Sequence, residues 1–157
     1  MPMNPIGTGR AQAYGVVFSV GFFGLAAQAL LFRTFLTAFE GNELGIAVFF
    51  CSWLLWVAVG AVVARLRLPV TDWLCRHFEL LPLLYVPAYV LQEWLIGNAR
   101  GIAGVKPYEL FPLLRMIPFA ALANAPVSFC SGGIFVLACR WLSAGVQTPV
   151  SRVYFLE

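Results

Sequence analysis

Two long runs without a charged residue dominate the first half of the chain. The first covers residues 13–32 and the second covers residues 44–64, and an arginine follows each of them. A helix needs about 20 consecutive, mostly apolar residues to cross the hydrocarbon core of a bilayer. The pattern therefore predicts two transmembrane helices, over residues 13–35 and 44–65.

A third apolar segment is shorter and contains prolines. Residues 80–92 carry no charge, but Pro82 and Pro87 lack the backbone N–H that a helix interior uses. If Glu93 is included, the apolar segment reaches the low end of the length that spans a bilayer. We expect a bent helix over residues 80–97.

The last apolar segment, residues 116–139, contains Pro118 and Pro126 as well as a pair of glycines. Sharp bends in helices concentrate at proline and glycine, so we expect a kinked helix over residues 110–142. The four segments together predict an all-α integral membrane bundle of about four transmembrane helices with transporter-like packing. A single transmembrane domain would then cover residues 1–157.

Composition agrees with a bilayer as the solvent for this chain. Hydrophobic residues make up 61% of the sequence and charged residues 11%, against about 45 to 50% and about 25% in soluble domains. The net charge of +3 is small and scattered, whereas a nucleic-acid surface needs Lys and Arg concentrated on one face. We expect lipid as a partner and no nucleic acid.

The charged segments between the helices indicate an orientation. Cytoplasmic loops of membrane proteins carry an excess of Lys and Arg, and this excess favours a cytoplasmic N-terminus. Both termini are then cytoplasmic if four helices cross. The segment 65–79 is expected to be an amphipathic surface turn with Trp73 and Phe78 at the membrane interface. The basic residues on the inner side would be Arg10, Arg65, Arg67, Arg76, Arg140 and Arg152, against Arg33, Arg100, Lys106 and Arg115 outside.

Polar residues near the first two helices are candidates for a ligand site. Gln28 lies within the first helix and Arg33 at its end, so they either form a polar site inside the bundle or make an interhelical hydrogen bond and reach the headgroups. Glu40, Asn42 and Glu43 follow. One possibility is that they form an acidic site at the outer mouth of the first two helices. The other is that they are a solvated turn, in which Asn42 caps the second helix and the negative charge of Glu43 is favoured by the dipole of that helix.

Asn124 and Pro126 mark the most informative position of the last helix. A proline frees a carbonyl one turn upstream, so a broken helix could offer backbone groups to a ligand, as transporters do near the bilayer midplane. Alternatively, Asn124 and Ser128 repair the kink by hydrogen bonding. Glu93 and Arg115 are expected to pair across the third and fourth helices.

Soluble catalytic chemistry has little support in this sequence. His77 is the only histidine, and the four cysteines form no CxxC pair, so histidine-rich metal sites and haem attachment are excluded. Neither a dinucleotide-binding GxGxxG nor a GxxxxGK[ST] motif follows a strand pattern. We expect no catalytic residue, no metal and no cofactor.

Several stretches resemble one bacterial family, the membrane domain of spermidine synthase-like proteins, which are described as fused transporter-like and spermidine synthase proteins. The resemblance implies a further glycine-rich helix and a cytoplasmic aminopropyltransferase-like domain of Rossmann type beyond Glu157. It also implies the bacterial inner membrane as location. The stretches are FFGLAAQALLFR (22–33), GNELGI (41–46), WLLWVAVGA (53–61), YEL (108–110), APVSFCSGGIF (125–135) and RVYFLE (152–157).

We therefore expect a membrane module of a spermidine synthase-like protein that is not an enzyme by itself, with any catalysis on a soluble domain of another chain. The nucleotide loop and acidic residues that would hold decarboxylated S-adenosylmethionine and a polyamine are missing from this sequence. Two alternatives stay open. One is a half-transporter that binds a small ligand such as a polyamine, and the other is a structural subunit of a larger membrane complex.

Overall fold

The structure is a computed structural model that describes residues 10–39, 43–66, 68–106 and 111–145. These residues are 89% helical and include no strand, which confirms the all-α prediction. A short 3-10 turn, Phe78–Leu80, precedes the fourth helix. The helices are α1 (Arg10–Ala38), α2 (Glu43–Arg65), α3 (Pro69–Arg76), α4 (Pro82–Gly97), α5 (Ala99–Ile102), α6 (Leu113–Ala123) and α7 (Ala125–Gly145).

Among the described residues, three segments are long and apolar enough to cross a membrane: Tyr14–Ala38 in α1, Glu43–Arg65, which is α2, and Ala125–Leu142 in α7. A shorter apolar helix, Leu113–Ala123, is α6. These helices form a bundle of the kind that spans membranes. Many large apolar side chains of α1, α2, α4 and α6 are exposed at the surface of the bundle, as expected where hydrocarbon rather than water surrounds the protein.

The two helices predicted near prolines differ from their predicted bounds. α4 has 16 residues, because the turn at Phe78–Leu80 ends just before Pro82, and proline is well suited to the first turn of a helix. The segment predicted as one kinked helix over 110–142 consists of α6 and α7, which meet at Asn124. The predicted bend is therefore a break in the helix.

Contacts at two levels set the relative direction of α1 and α4. Gly24 packs against Tyr85, and nearer the other end Thr34 donates a hydrogen bond to the Glu93 carboxylate at 3.1 Å. From the first contact to the second, the residue number increases in both helices, so α1 and α4 run in the same direction. By the same argument α2 and α7 are parallel, since Ser52 lies beside Asn124 and Ala64 beside Arg140.

The α2 and α7 backbones touch where they cross. A side chain on Gly60 would collide with the carbonyl oxygen of Phe129, and one on Gly132 would collide with that of Val57. Small residues let helices approach closely in lipid, where packing rather than water exclusion drives association. Gly60 and Ala64, one turn apart on α2, are both small and both buried.

α3 is held against the end of α7. The Arg140 guanidinium donates to the Asp72 carboxylate at 2.6 Å, and Phe78 stacks on Trp141 with ring centroids 5.1 Å apart. Trp73 is half exposed, as expected at an interface, but Phe78 is fully buried. The interfacial prediction for Phe78 was wrong because the turn that follows α3 directs this ring onto α7.

Candidate ligand-binding site

The break between α6 and α7 leaves backbone groups that an intact helix would pair. Asn124 ends α6 with a ψ of −7°, whereas ψ in a helix is about −42°. Pro126 has no N–H to donate. The next N–H, that of Val127, donates to the side-chain oxygen Oε1 of Gln92 at 3.0 Å. A neighbouring helix thus satisfies a donor at the break.

Asn124 and Gln92 form the centre of a buried polar network that joins three helices. Gln92 Nε2 donates to Asn124 Oδ1 at 2.7 Å, so α4 is tied to the break. Asn124 Nδ2 in turn donates to the Phe49 carbonyl oxygen at 2.9 Å and to Ser52 Oγ at 3.0 Å, both on α2. Gln92 and Asn124 are only 1% and 2% exposed. Both amide hydrogens of Asn124 are used, so it has no donor left for a ligand.

Trp56 adds a further bond from α2 to the break. Its indole Nε1 donates to the carbonyl oxygen of Ala121 at 2.6 Å. Ala121 lies in the last turn of α6, where carbonyl groups lose their partners within the helix. Of the two alternatives for Asn124, the geometry therefore favours repair of the kink, although the repair runs between helices rather than within one.

A separate pocket of about 310 Å³ lies beside this network, between α1, α2, α4 and α7. Its position is near the middle of α1 and α2, which supply Gln28 and Trp53. The lining consists of Gly21, Gly24, Leu25, Gln28, Trp53, Val57, Ala61, Tyr85, Ser131, Gly132 and Phe135. Polar groups in such a cavity lie inside the bundle, where a membrane protein places the sites of its ligands.

Three polar side chains meet at one wall of the pocket. Ser131 Oγ accepts from Tyr85 Oη at 3.1 Å and from Gln28 Nε2 at 3.4 Å, and it donates to the Val127 carbonyl oxygen at 2.9 Å. Since a hydroxyl has one donor and two acceptor positions, Ser131 is fully used. The Gln28 bond is long, and the Gln28 amide oxygen accepts no bond from any residue that the structure describes.

Trp53 lines the same pocket but differs from Trp56. Its indole N–H is buried and has no hydrogen-bond partner within the described part of the chain. Since the nitrogen itself is covered, the indole presents ring carbons to the cavity. Such an unpaired donor is uncommon in protein interiors, and it marks this wall of the pocket as less completely paired than the network at Asn124.

Two other predicted site residues, Arg33 and Glu43, do not line the pocket. Arg33 is exposed, and Glu43 is exposed at the first turn of α2, where its charge suits the helix dipole. Glu40 and Asn42 lie outside the described residues. Of the four predicted residues that the structure describes, only Gln28 lines the pocket, and Asn124 belongs to the adjacent network.

The predicted pairing of Glu93 with Arg115 is wrong. Glu93 accepts from the single hydroxyl hydrogen of Thr34 on α1, whose oxygen lies 3.1 and 3.3 Å from the two carboxylate oxygens. Arg115 Nη1 donates to the Ala103 carbonyl oxygen at 2.9 Å instead. The two side chains do not meet because Glu93 faces α1, whereas Arg115 reaches the turn that follows α5.

Three important residues were missed by the sequence reading. Gln92 signalled itself as a polar residue inside an apolar run, but its partner on another helix could not be read from one segment. Tyr85 and Trp56 lie in apolar runs, where an aromatic residue gives no signal of a polar role. Only the packing of the helices brings them to Ser131 and Ala121.

The described residues contain no group of three or more His, Cys, Asp or Glu side chains that could hold a metal ion. Comparison with known proteins found no match to this chain among family models, curated proteins or solved structures.

Proposed function

We propose that this chain is a non-catalytic membrane module that binds a small molecule inside its helical bundle. The observation that carries the proposal is the pocket beside Gln28. Its volume of about 310 Å³ falls within the range of about 300 to 1,000 Å³ that is usual for small-ligand sites. It combines an apolar lining with a few polar groups, which is the ordinary composition of such sites.

The arrangement of the helices supports this role. The Asn124 network and the glycine contacts of α2 with α7 fix the helices on one side of the pocket. Gln28, on α1, is attached to α7 only by its long bond to Ser131. A pocket held by rigid neighbours on one side and by adaptable groups on the other can accept a ligand without rebuilding the bundle.

The resemblance to spermidine synthase-like proteins extends the proposal to a partner. In this proposal a soluble aminopropyltransferase-like domain on another polypeptide works with the membrane module, in the bacterial inner membrane, with both termini cytoplasmic. A neighbouring reading frame that encodes a glycine-rich helix followed by a Rossmann pattern would support it. Reporter fusions at the two ends that report opposite sides of the membrane would contradict the orientation.

Two variants in which leucine replaces an alanine of α2 test for a bound molecule. Ala61 lines the pocket, whereas Ala58 lies on the same helix with its side chain exposed outside the pocket. Ala61→Leu should fill the cavity and Ala58→Leu should leave it open. The purified proteins are extracted with organic solvent, and small molecules in the extract are quantified by mass spectrometry.

We expect a molecule that accompanies the unmodified protein and Ala58→Leu in near-stoichiometric amount and is depleted from Ala61→Leu. Equal recovery of every extracted molecule from both variants would contradict the proposal. Both variants are first compared by thermal unfolding, so that loss of a ligand is separated from loss of the fold.

A further inference from the structure

The pocket lining that the structure describes is uncharged. Gln28, Tyr85 and Ser131 supply its polar side chains, and none of the described lining residues is Asp, Glu, Lys, Arg or His. A cation placed here would lose its hydration without gaining a carboxylate, which is costly in a medium of low dielectric constant. Two acids of these helices are occupied or placed elsewhere, since Glu93 accepts from Thr34 and Glu43 is exposed in the first turn of α2.

Gln28 is the polar group of the pocket that has capacity to spare. Its Nε2 reaches Ser131 at only 3.4 Å, near the upper limit for a hydrogen bond. A primary amide has two donor hydrogens and an acceptor oxygen, and the amide oxygen of Gln28 accepts from nothing that the structure describes. A ligand head can therefore both donate to and accept from Gln28.

The pocket is reached from the outer face of the bundle. Leu25 stands at its rim and is 66% exposed. Leu25 is near the middle of α1, so the rim of the pocket faces hydrocarbon when α1 crosses the membrane. A molecule that enters here arrives from the lipid and must itself be soluble in it.

We infer that the pocket binds a neutral, lipid-soluble molecule whose apolar body lies between α1 and α2 and whose single uncharged polar head pairs with the Gln28 amide. The inference rests on the proposed function and narrows it to one ligand class. It excludes from this pocket the polyamine that the family resemblance suggests, because a polyamine carries several positive charges at neutral pH.

Three probes with unbranched apolar chains of five or six carbons test the inference: hexanamide, hexylamine and hexane. Hexanamide has a neutral head that matches an amide, hexylamine is cationic at neutral pH, and hexane has no head. Each is added to the protein in lipid nanodiscs, with spermidine as a fourth probe, and the shift of the unfolding temperature gives apparent affinities. Ala61→Leu reports how much of each shift comes from the pocket.

We expect hexanamide to bind about three- to tenfold more tightly than hexane, which is the effect of one or two buried hydrogen bonds. Gln28→Leu should reduce the affinity for hexanamide to that for hexane, and Ala61→Leu should abolish both shifts. Hexylamine and spermidine should give no shift that Ala61→Leu removes. If Gln28→Leu does not fold, the order of the three probes on the unmodified protein still decides.

A shift with hexylamine or spermidine that exceeds the shift with hexanamide, and that Ala61→Leu removes, would overturn the neutral ligand class while the proposed binding function stands. If no probe gives a shift that Ala61→Leu removes, the inference is overturned. If in addition no extracted molecule is depleted from that variant, the proposed function fails as well.

Discussion

The Asn124 network and the Gln28 pocket lie next to each other in one bundle and contain similar amide and hydroxyl groups, yet they are paired very differently. At Asn124 and Gln92 the hydrogen bonds are 2.7 to 3.0 Å long and the side chains are almost completely buried. At Gln28 the bond to Ser131 is 3.4 Å long, and a cavity adjoins it.

This difference suggests how to distinguish polar residues that stabilise a membrane protein from polar residues that are available to a ligand. A buried polar group must be paired where water is absent, and at Asn124 the protein supplies every partner itself. At Gln28 the protein leaves part of the amide unused beside space for another molecule. The polar residue in the less complete environment is therefore the better candidate for contact with a ligand.

The largest effect on the free energy of unfolding should come from removing the hydrogen bonds of the Asn124 network. Asn124→Ala removes three interhelical side-chain bonds and leaves Gln92 Nε2 buried without its acceptor. Interhelical bonds average about 0.6 kcal/mol in membrane proteins, and an unpaired buried group adds about 1 to 3 kcal/mol, so we expect a loss of about 3 kcal/mol in unfolding free energy. Reversible unfolding in mixed micelles measures it.

Asn98→Ala is the matched control for this variant. Asn98 also follows a helix and donates its side-chain amide to a backbone oxygen, that of Trp94 at 2.8 Å, but it is exposed. Its replacement should cost well under about 1 kcal/mol, since water replaces the lost bond. Equal losses for the two asparagines would mean that the network contributes no special stability.

The next largest effect on stability concerns Gly132, which lines the pocket and also lies at the close contact between α2 and α7. Gly132→Ala should push Val57 and α2 away, with a cost of about 2 kcal/mol, as for other overpacked interiors. Gly15→Ala, where a side chain would meet no atom within 4 Å, should be neutral or stabilising by up to about 1 kcal/mol. Thermal unfolding of both variants in nanodiscs compares them, and similar Tm values would contradict the close crossing.

Two tryptophans on α2 provide a smaller, internally controlled effect. Trp56→Phe removes the bond to the Ala121 carbonyl oxygen, while Trp53→Phe removes an N–H that has no partner among the described residues. The loss of ring area is similar in both variants, so the difference isolates the hydrogen bond, and we expect Trp56→Phe to be less stable by about 1 kcal/mol. The reverse order of unfolding free energies would refute the assigned pairing.

The smallest stability effect should come from the pocket itself. Gln28→Leu loses one long hydrogen bond and gains apolar contact, so the free energy of unfolding should change by less than about 0.5 kcal/mol. The same variant should lose the preference for hexanamide over hexane. A stability loss as large as that of Asn124→Ala would show that Gln28 is a structural residue like Asn124.

The sequence predicted the helices better than it predicted the contacts between them. Charge-free runs place α1, α2 and α7 because the bilayer selects apolar segments by length, and Pro126 correctly indicated a bend. The face that each helix turns toward its neighbours depends on partners elsewhere in the chain, and the pairing of Glu93 with Arg115 was wrong because Glu93 bonds to Thr34 and Arg115 to the Ala103 carbonyl oxygen.

The candidate site was predicted in part for the same reason. Gln28 and Asn124 stand out as polar residues within apolar runs, so both were found. Their different roles depend on Gln92, Ser52 and Ser131, which lie on other helices at distances along the chain that no local pattern encodes. Glu43 was conspicuous by its charge, yet a charged residue at a helix start is usually explained by the helix dipole.

The indole N–H resonances of Trp53 and Trp56 test the contrast between pocket and network most directly. They are recorded by NMR in nanodiscs, assigned with the two phenylalanine variants, and followed during titration with hexanamide. The Trp53 resonance should move progressively with added hexanamide while the Trp56 resonance stays in place. Equal movement of both resonances, movement of Trp56 alone, or no movement of either would contradict a closed network beside an open ligand pocket.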